Sequence, residues 1–150
     1  MRVWRLVKAG QRKLDGEGAR RYGGRYCSPG LAIVPFASEA GLAVLVRLRY
    51  LDGPAQACED AFELGWTEID AQAERVPEEL DPAGRVAFVD AWAHEQRSLL
   101  AALRSAVLPE ADVILMNAEH PQAALVAPLQ VRSFSFAECL HRPPMLDRFA

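Results

Sequence analysis

Residues 15–30 read DGEGARRYGGRYCSPG, with five glycines, three arginines and two tyrosines in sixteen positions. Glycine lets a backbone take positive φ and approach a ligand closely. The planar guanidinium of arginine pairs with phosphate through two parallel hydrogen bonds. A glycine-rich turn carrying arginine therefore suits a pyrophosphate, and Tyr22 and Tyr26 add flat faces on which a nicotinamide or adenine ring can stack. The same composition also describes an ordinary surface turn, so the rest of the chain has to decide.

With 150 residues, 51% of them apolar, the chain is long enough for one core and too short for two. A single domain over residues 1–150 is expected. The formal net charge of −3 argues against a surface that coats nucleic acid, yet basic residues gather near the start, through Arg2, Arg5, Lys8, Arg12, Lys13, Arg20, Arg21 and Arg25. That asymmetry predicts a local anion site rather than a global field. Cys27, Cys58 and Cys139 are far apart and in no CxxC or Cys/His spacing, so neither a disulfide framework nor a metal site is expected and a reducing cytoplasm fits best. The opening MRVWRLVKAG has no apolar signal region, and no segment approaches the roughly 18 apolar residues of a membrane span. A soluble protein with no membrane partner is expected.

RVWRLV at the start and LAIVPFAS behind the Pro29-Gly30 turn have strand patterns, and Pro35 predicts that the second is an edge or a strand end. Ser38 is placed to cap a helix with apolar positions Leu42, Leu45, Val46 and Leu48, although LVRLRYL also fits a strand. The acidic middle, with Pro77, Pro82 and Gly84, predicts a loop-rich excursion anchored by Trp66. DPAGRVAFVDAWAHEQRSLLAALRS carries a helical stripe of Val86, Val89, Ala93 and Leu99 or Leu100. Strands are expected in ADVILMN and in LQVRSFSF, which alternates with period two. The order of elements predicts an α+β domain.

Taken in order, MRVWRLV, DGEGARRYGGRYCSPG, ASEAGLAVLVRL, VDAWAHEQRSLLAALRSAVLPEADVILMNAEHP and VRSFSFAECL resemble the RES-domain toxins of bacterial toxin–antitoxin pairs over nearly the whole chain. The resemblance implies an ADP-ribosyltransferase-like fold, with mixed or antiparallel strands flanked by helices, and NAD as co-substrate without a metal. It also implies an antitoxin partner of the Xre/ParS type. Members of that family consume NAD or transfer ADP-ribose to a protein, phosphoribosyl pyrophosphate synthetase being one such acceptor. The family's arginine falls on Arg25, its serine on Ser105, and the aromatic after the arginine on Tyr26. Arg25 and Ser105 are thus the expected catalytic residues, and Arg25, Tyr26, Ser105 and Tyr22 the expected NAD contacts.

Two positions depart from the family pattern. Its glutamate falls on Val46, and the tyrosine that usually ends the preceding strand falls on Pro35. In ADP-ribosyl transfer the glutamate holds a ribose hydroxyl and steadies the positive charge that develops as nicotinamide leaves; valine does neither. Glu39, and Glu59, Asp60 or Glu63 from the middle segment, are the replacements weighed here, with Asp52 rotated away. Arg5 is read as either a pocket residue or a surface ion pair. Three functions follow: mono-ADP-ribosylation of a host protein, an NAD glycohydrolase or phosphorylase toxin that depletes NAD, or a degenerate domain that only binds a partner or NAD. The first is preferred because a bound protein acceptor supplies positioning that water does not.

Overall fold

The computed structural model describes residues 1–141. Seven strands form one sheet: β1 (Arg2–Lys8), β2 (Ile33–Ala37), β3 (Phe62–Glu68), β4 (Ala73–Arg75), β5 (Leu100–Arg104), β6 (Asp112–Asn117) and β7 (Gln130–Phe134), in the spatial order β4-β5-β6-β2-β1-β3-β7. All neighbours pair antiparallel except β4 and β5, which are parallel. The helices are α1 (Glu17–Tyr22), α2 (Ala40–Leu48), α3 (Pro82–His94) and α4 (Phe136–Cys139), with 3-10 turns at Ala55–Ala57 and Pro121–Leu125. The α+β class expected from the sequence is the class observed.

Alternation along β6 divides the core. Val113 and Leu115 pack with Ile33, Leu103 and the α3 residues Val89 and Trp92, while Ile114 and Met116 pack with Val3, Val34 and Leu100 on the other side. A third cluster joins Leu42 and Ala43 of α2 to Leu6, Phe62, Leu64 and Phe136. Trp92 is fully buried and its indole N–H donates to Ser98 Oγ at 2.8 Å, so it anchors the core. Asn117 organises its turn, donating to the Ala93 carbonyl at 3.1 Å and accepting the Glu119 N–H at 3.1 Å.

Several local expectations are corrected. The middle segment is loop-rich around a strand the sequence did not reveal: β3 pairs with β1 along seven rungs and lies inside the sheet. Its pattern is disguised by Gly65, where an added Cβ would meet Leu129 Cδ1 at 2.9 Å, and by Glu63, a buried acid. The helix through residues 82–94 stops there, and Leu100 opens β5 instead of continuing the helical stripe. Asp81 rather than any residue further on fixes its start, accepting the Gly84 N–H at 2.7 Å. Ser38 does not cap α2; Glu39 holds the cap position, and Ser38 Oγ accepts the Asp112 N–H at 2.9 Å. LVRLRYL stays helical to Leu48.

The main correction concerns β2, which is interior although it carries Pro35. Ser38 N–H donates to the Asp112 carbonyl and Ala118 N–H to the Ala32 carbonyl, so even positions of this segment face β6 and odd ones, Pro35 included, face β1. Proline offers no N–H to that side. β2 meets β6 over five rungs and β1 at only one, Trp4 opposite Ala37. The sheet is therefore split along most of the β1–β2 seam.

Trp92→Ala removes the largest fully buried side chain and should lower unfolding free energy by about 3–5 kcal/mol, as read from urea denaturation.

Candidate active site

The split seam opens into a cleft of about 770 Å³, within the usual range for small-ligand sites. Residues from β1 form one wall, Ile33, Pro35 and Ala37 of β2 lie along the seam, and the cleft extends to Val46 in α2, Arg25 in the glycine loop and Ser105 behind β5. Three of the four residues singled out in the sequence, Arg25, Tyr26 and Ser105, thus line one cavity although eighty positions separate the first from the last. Tyr22 is not brought to it. It ends α1, is 82% exposed and lies outside the cleft lining.

The loop carrying Arg25 is held at both sides. Gly23 adopts φ +70°, and a Cβ there would sit 3.1 Å from the Cys27 carbonyl, so the turn requires glycine. Gly24 N–H donates to that same carbonyl at 3.0 Å. Just beyond, Ser28 donates its N–H to Asp90 at 2.9 Å and its hydroxyl to the other oxygen at 2.5 Å, tying the loop to α3. Arg25 remains exposed with its guanidinium 5.5 Å from the Tyr26 ring centroid, and the ring itself packs against the core. Cation and ring are therefore presented together.

Ser105 is 3% exposed, and its Oγ accepts the N–H groups of Val107 at 3.3 Å and Leu108 at 3.2 Å. A hydroxyl has two lone pairs and one proton. With both acceptor sites engaged, what Ser105 has left for a ligand is its proton.

Charge in the cleft is one-sided. Arg5, Lys8, Lys13, Arg25, Arg47 and Arg49 line it, against one carboxylate, Asp15. Among the described residues no acid forms an ion pair with Arg5, Arg25, Arg47 or Arg49, whereas several arginines elsewhere, Arg2, Arg12 and Arg75 among them, have one. Arg5 is therefore the pocket residue rather than the surface ion pair. Burial lowers its pKa from the ordinary arginine value, and repulsion from Arg47 lowers it further, with Asp15 opposing. A guanidinium taken from water without a partner is costly, and an anionic ligand supplies what is missing. Cys27 also lines the cleft, but burial, followed by the nearby Asp90, pushes its thiol above the usual range, so it is a poor nucleophile.

None of the replacements weighed for the glutamate at Val46 reaches this cavity. Glu39 sits at the α2 cap outside the lining, and Asp52 lies in the turn after α2, also outside it. Glu59, Asp60 and Glu63 border a separate hollow beside α4. Glu63 is already engaged: Arg12 donates from Nε at 3.0 Å and from its terminal nitrogen at 2.5 Å, and Gly10 N–H donates at 2.9 Å. Asp15 escaped notice in the sequence because nothing in its spacing relates it to position 46.

The protein is thus a seven-stranded mixed sheet flanked by helices, with a cationic cleft at one broken seam. The same fold is seen in the crystal structure of the M. tuberculosis MbcT–MbcA toxin–antitoxin complex, with a TM-score of 0.72 at 20% identity over 91% of this chain and 85% of that one. The chain is also 33% identical over 135 residues to the Prs ADP-ribosylating toxin of Sphingobium sp. (strain YBL2), covering 82% of this chain and 83% of the relative. Residues 2–137 match the RES domain, and the chain belongs to that family. Among the described residues no helix is long and apolar enough to cross a membrane, and no group of three or more His, Cys, Asp or Glu side chains is placed to hold a metal.

Two tests address the scaffold of the site. Asp90→Ala leaves the Ser28 N–H and hydroxyl unpaired and should cost about 1–3 kcal/mol, with amide exchange rising across residues 23–28. Hydrogen bonds from Arg12 and then from Gly10 hold the Glu63 carboxyl below its ordinary 4.5. A carboxyl lowered on folding adds stability above its unfolded value and loses it as pH falls through the folded one. Glu63→Gln should therefore lose less stability than wild type between about pH 7 and about pH 3, compared by urea midpoints.

Proposed function

We propose that this chain is the toxin of a bacterial toxin–antitoxin pair and that it transfers ADP-ribose from NAD to a host protein. The observation that carries the reading is the convergence of Arg25, Tyr26 and Ser105 on one cationic cleft. A relative of one-third identity whose name states Prs ADP-ribosylation supports it. NAD is the co-substrate and no metal takes part.

Each residue has a role its geometry permits. Arg25 pairs with the pyrophosphate, assisted by the cations beside it, and Tyr26, next to the guanidinium, packs against a ring of the dinucleotide. Ser105 donates its proton to the carboxamide oxygen of nicotinamide and so fixes the orientation of the leaving group. The bond from ribose C1′ to the pyridinium nitrogen breaks with its electron pair passing to nicotinamide, which departs neutral. A nucleophile of the acceptor protein then bonds to C1′ and releases a proton to water. Protein acceptors are favoured over water because docking supplies orientation that a free water lacks.

Phosphoribosyl pyrophosphate synthetase is the acceptor we propose, with an Xre/ParS-type antitoxin as the partner that covers the cleft. The toxin works in the cytoplasm and contacts neither nucleic acid nor membrane.

The test is incubation of the protein in a bacterial lysate with NAD labelled in its adenylate phosphate. A labelled protein band is expected, and Arg25→Ala should weaken it on the order of 100-fold. Rapid nicotinamide release without any labelled protein would replace transfer by hydrolysis. Unimpaired growth of cells expressing the folded chain alone, with no loss of NAD, would leave only the binding reading.

A further inference from the structure

The reaction proposed above needs a carboxylate beside the ribose, and the α2 position that would carry it is Val46, a half-buried apolar side chain at the cleft. Resting on that reading, we infer that Asp15, from the segment that leads into α1, is the catalytic carboxylate of this enzyme.

Four observations converge on it. Asp15 is the one acid that lines the cleft among the described residues. Its Oδ1 accepts the Glu17 N–H at 3.1 Å, which orients the carboxylate at the start of α1 and leaves Oδ2 free. Asp15 is exposed at the cleft wall, and its charge acts on the half-buried guanidinium of Arg5, so acid and cation belong to one electrostatic site. Finally, the backbone next to it is fixed. Gly16 has φ +67°, and a Cβ at that position would fall 2.4 Å from the Ala32 carbonyl carbon, so residue 16 is wedged against the chain entering β2.

The segment before it is also anchored, through Gly10 and Arg12 on Glu63 of β3. The segment that carries Asp15 is thus braced from both halves of the split sheet, at β3 and at the entry to β2. A carboxylate so held is preorganised, which is the condition for electrostatic stabilisation of a charge that appears only in the transition state. As the C1′ bond to nicotinamide breaks, the positive charge moves from the pyridinium nitrogen to the ribose. Oδ2 accepts a hydrogen bond from a ribose hydroxyl and faces that charge. No covalent bond to Asp15 forms, and the proton released by the acceptor goes to water at the open cleft mouth.

The experiment uses the full chain with Asp15→Asn and Val46→Glu, singly and together. It measures nicotinamide release and label transfer in lysate, NAD affinity by calorimetry, and the thermal midpoint. Asp15→Asn should lower turnover on the order of 100-fold while NAD affinity and thermal midpoint hold. Val46→Glu should restore much of that loss in the double variant by returning a carboxylate from α2. Wild-type turnover in Asp15→Asn overturns the inference. So does a loss of turnover matched by equal losses of NAD affinity and thermal midpoint, the mark of a structural role. A wild-type chain that binds NAD and never cleaves it defeats both Asp15 and the transfer reading, whereas cleavage by wild type and Asp15→Asn alike defeats Asp15 alone.

Discussion

The seam between β1 and β2 is held at a single rung, Trp4 to Ala37, and the rest of the molecule is arranged around that break. Interior strands normally satisfy their neighbours on both sides. Pro35 has no N–H to offer on the side that faces β1, so continuing the ladder there gains little, and the two halves of the sheet diverge. Each half is well braced without the seam. On one side β2 pairs with β6 over its whole length, and on the other β1 pairs with β3 over seven rungs. The gap can therefore stay open as a binding cleft without loosening the fold.

The cleft gathers cations and leaves them without acids. Several arginines outside the cleft take carboxylate partners, as Arg75 does with Asp112 at 2.8 Å, but Arg5 is depressed in pKa by burial and stands near Arg47. Such a site is poorly satisfied when empty and better satisfied by a pyrophosphate. The cost is met by rigid surroundings. Asp90 clamps the arginine loop, Glu63 clamps the segment that leads to Asp15, and glycines at 16 and 23 occupy places where a side chain has neither the φ nor the room. Transition-state electrostatics work best when donors and charges need not reorganise.

How far the sequence reads ahead of the structure depends on the kind of signal. That Arg25 and Tyr26 line the cleft was legible from local composition together with an ordered resemblance, and that Ser105 does so from the resemblance alone. β3 was hidden because Gly65 and the buried Glu63 break the alternation that marks a strand, and their reason lies in distant Leu129 and Arg12. Pro35 pointed to an edge. The edge exists, but it runs along an internal seam that only the pairing of three strands defines. Asp15 was invisible because its relation to Val46 exists only across the folded cleft, and Tyr22 misled because it shares a stretch, not a surface, with Arg25.

The most direct test of the central claim, that the split seam is the dinucleotide site, is an amide chemical-shift titration of the isotope-labelled protein with a non-cleavable carba analogue of NAD. A dinucleotide seated in the seam gives saturable shifts along residues 5–8 of β1, at 15–19, 24–27 and 105–107, with the hollow beside α4 silent. Shifts confined to α4 and residues 58–63, or no saturable shifts in a folded protein, would contradict it.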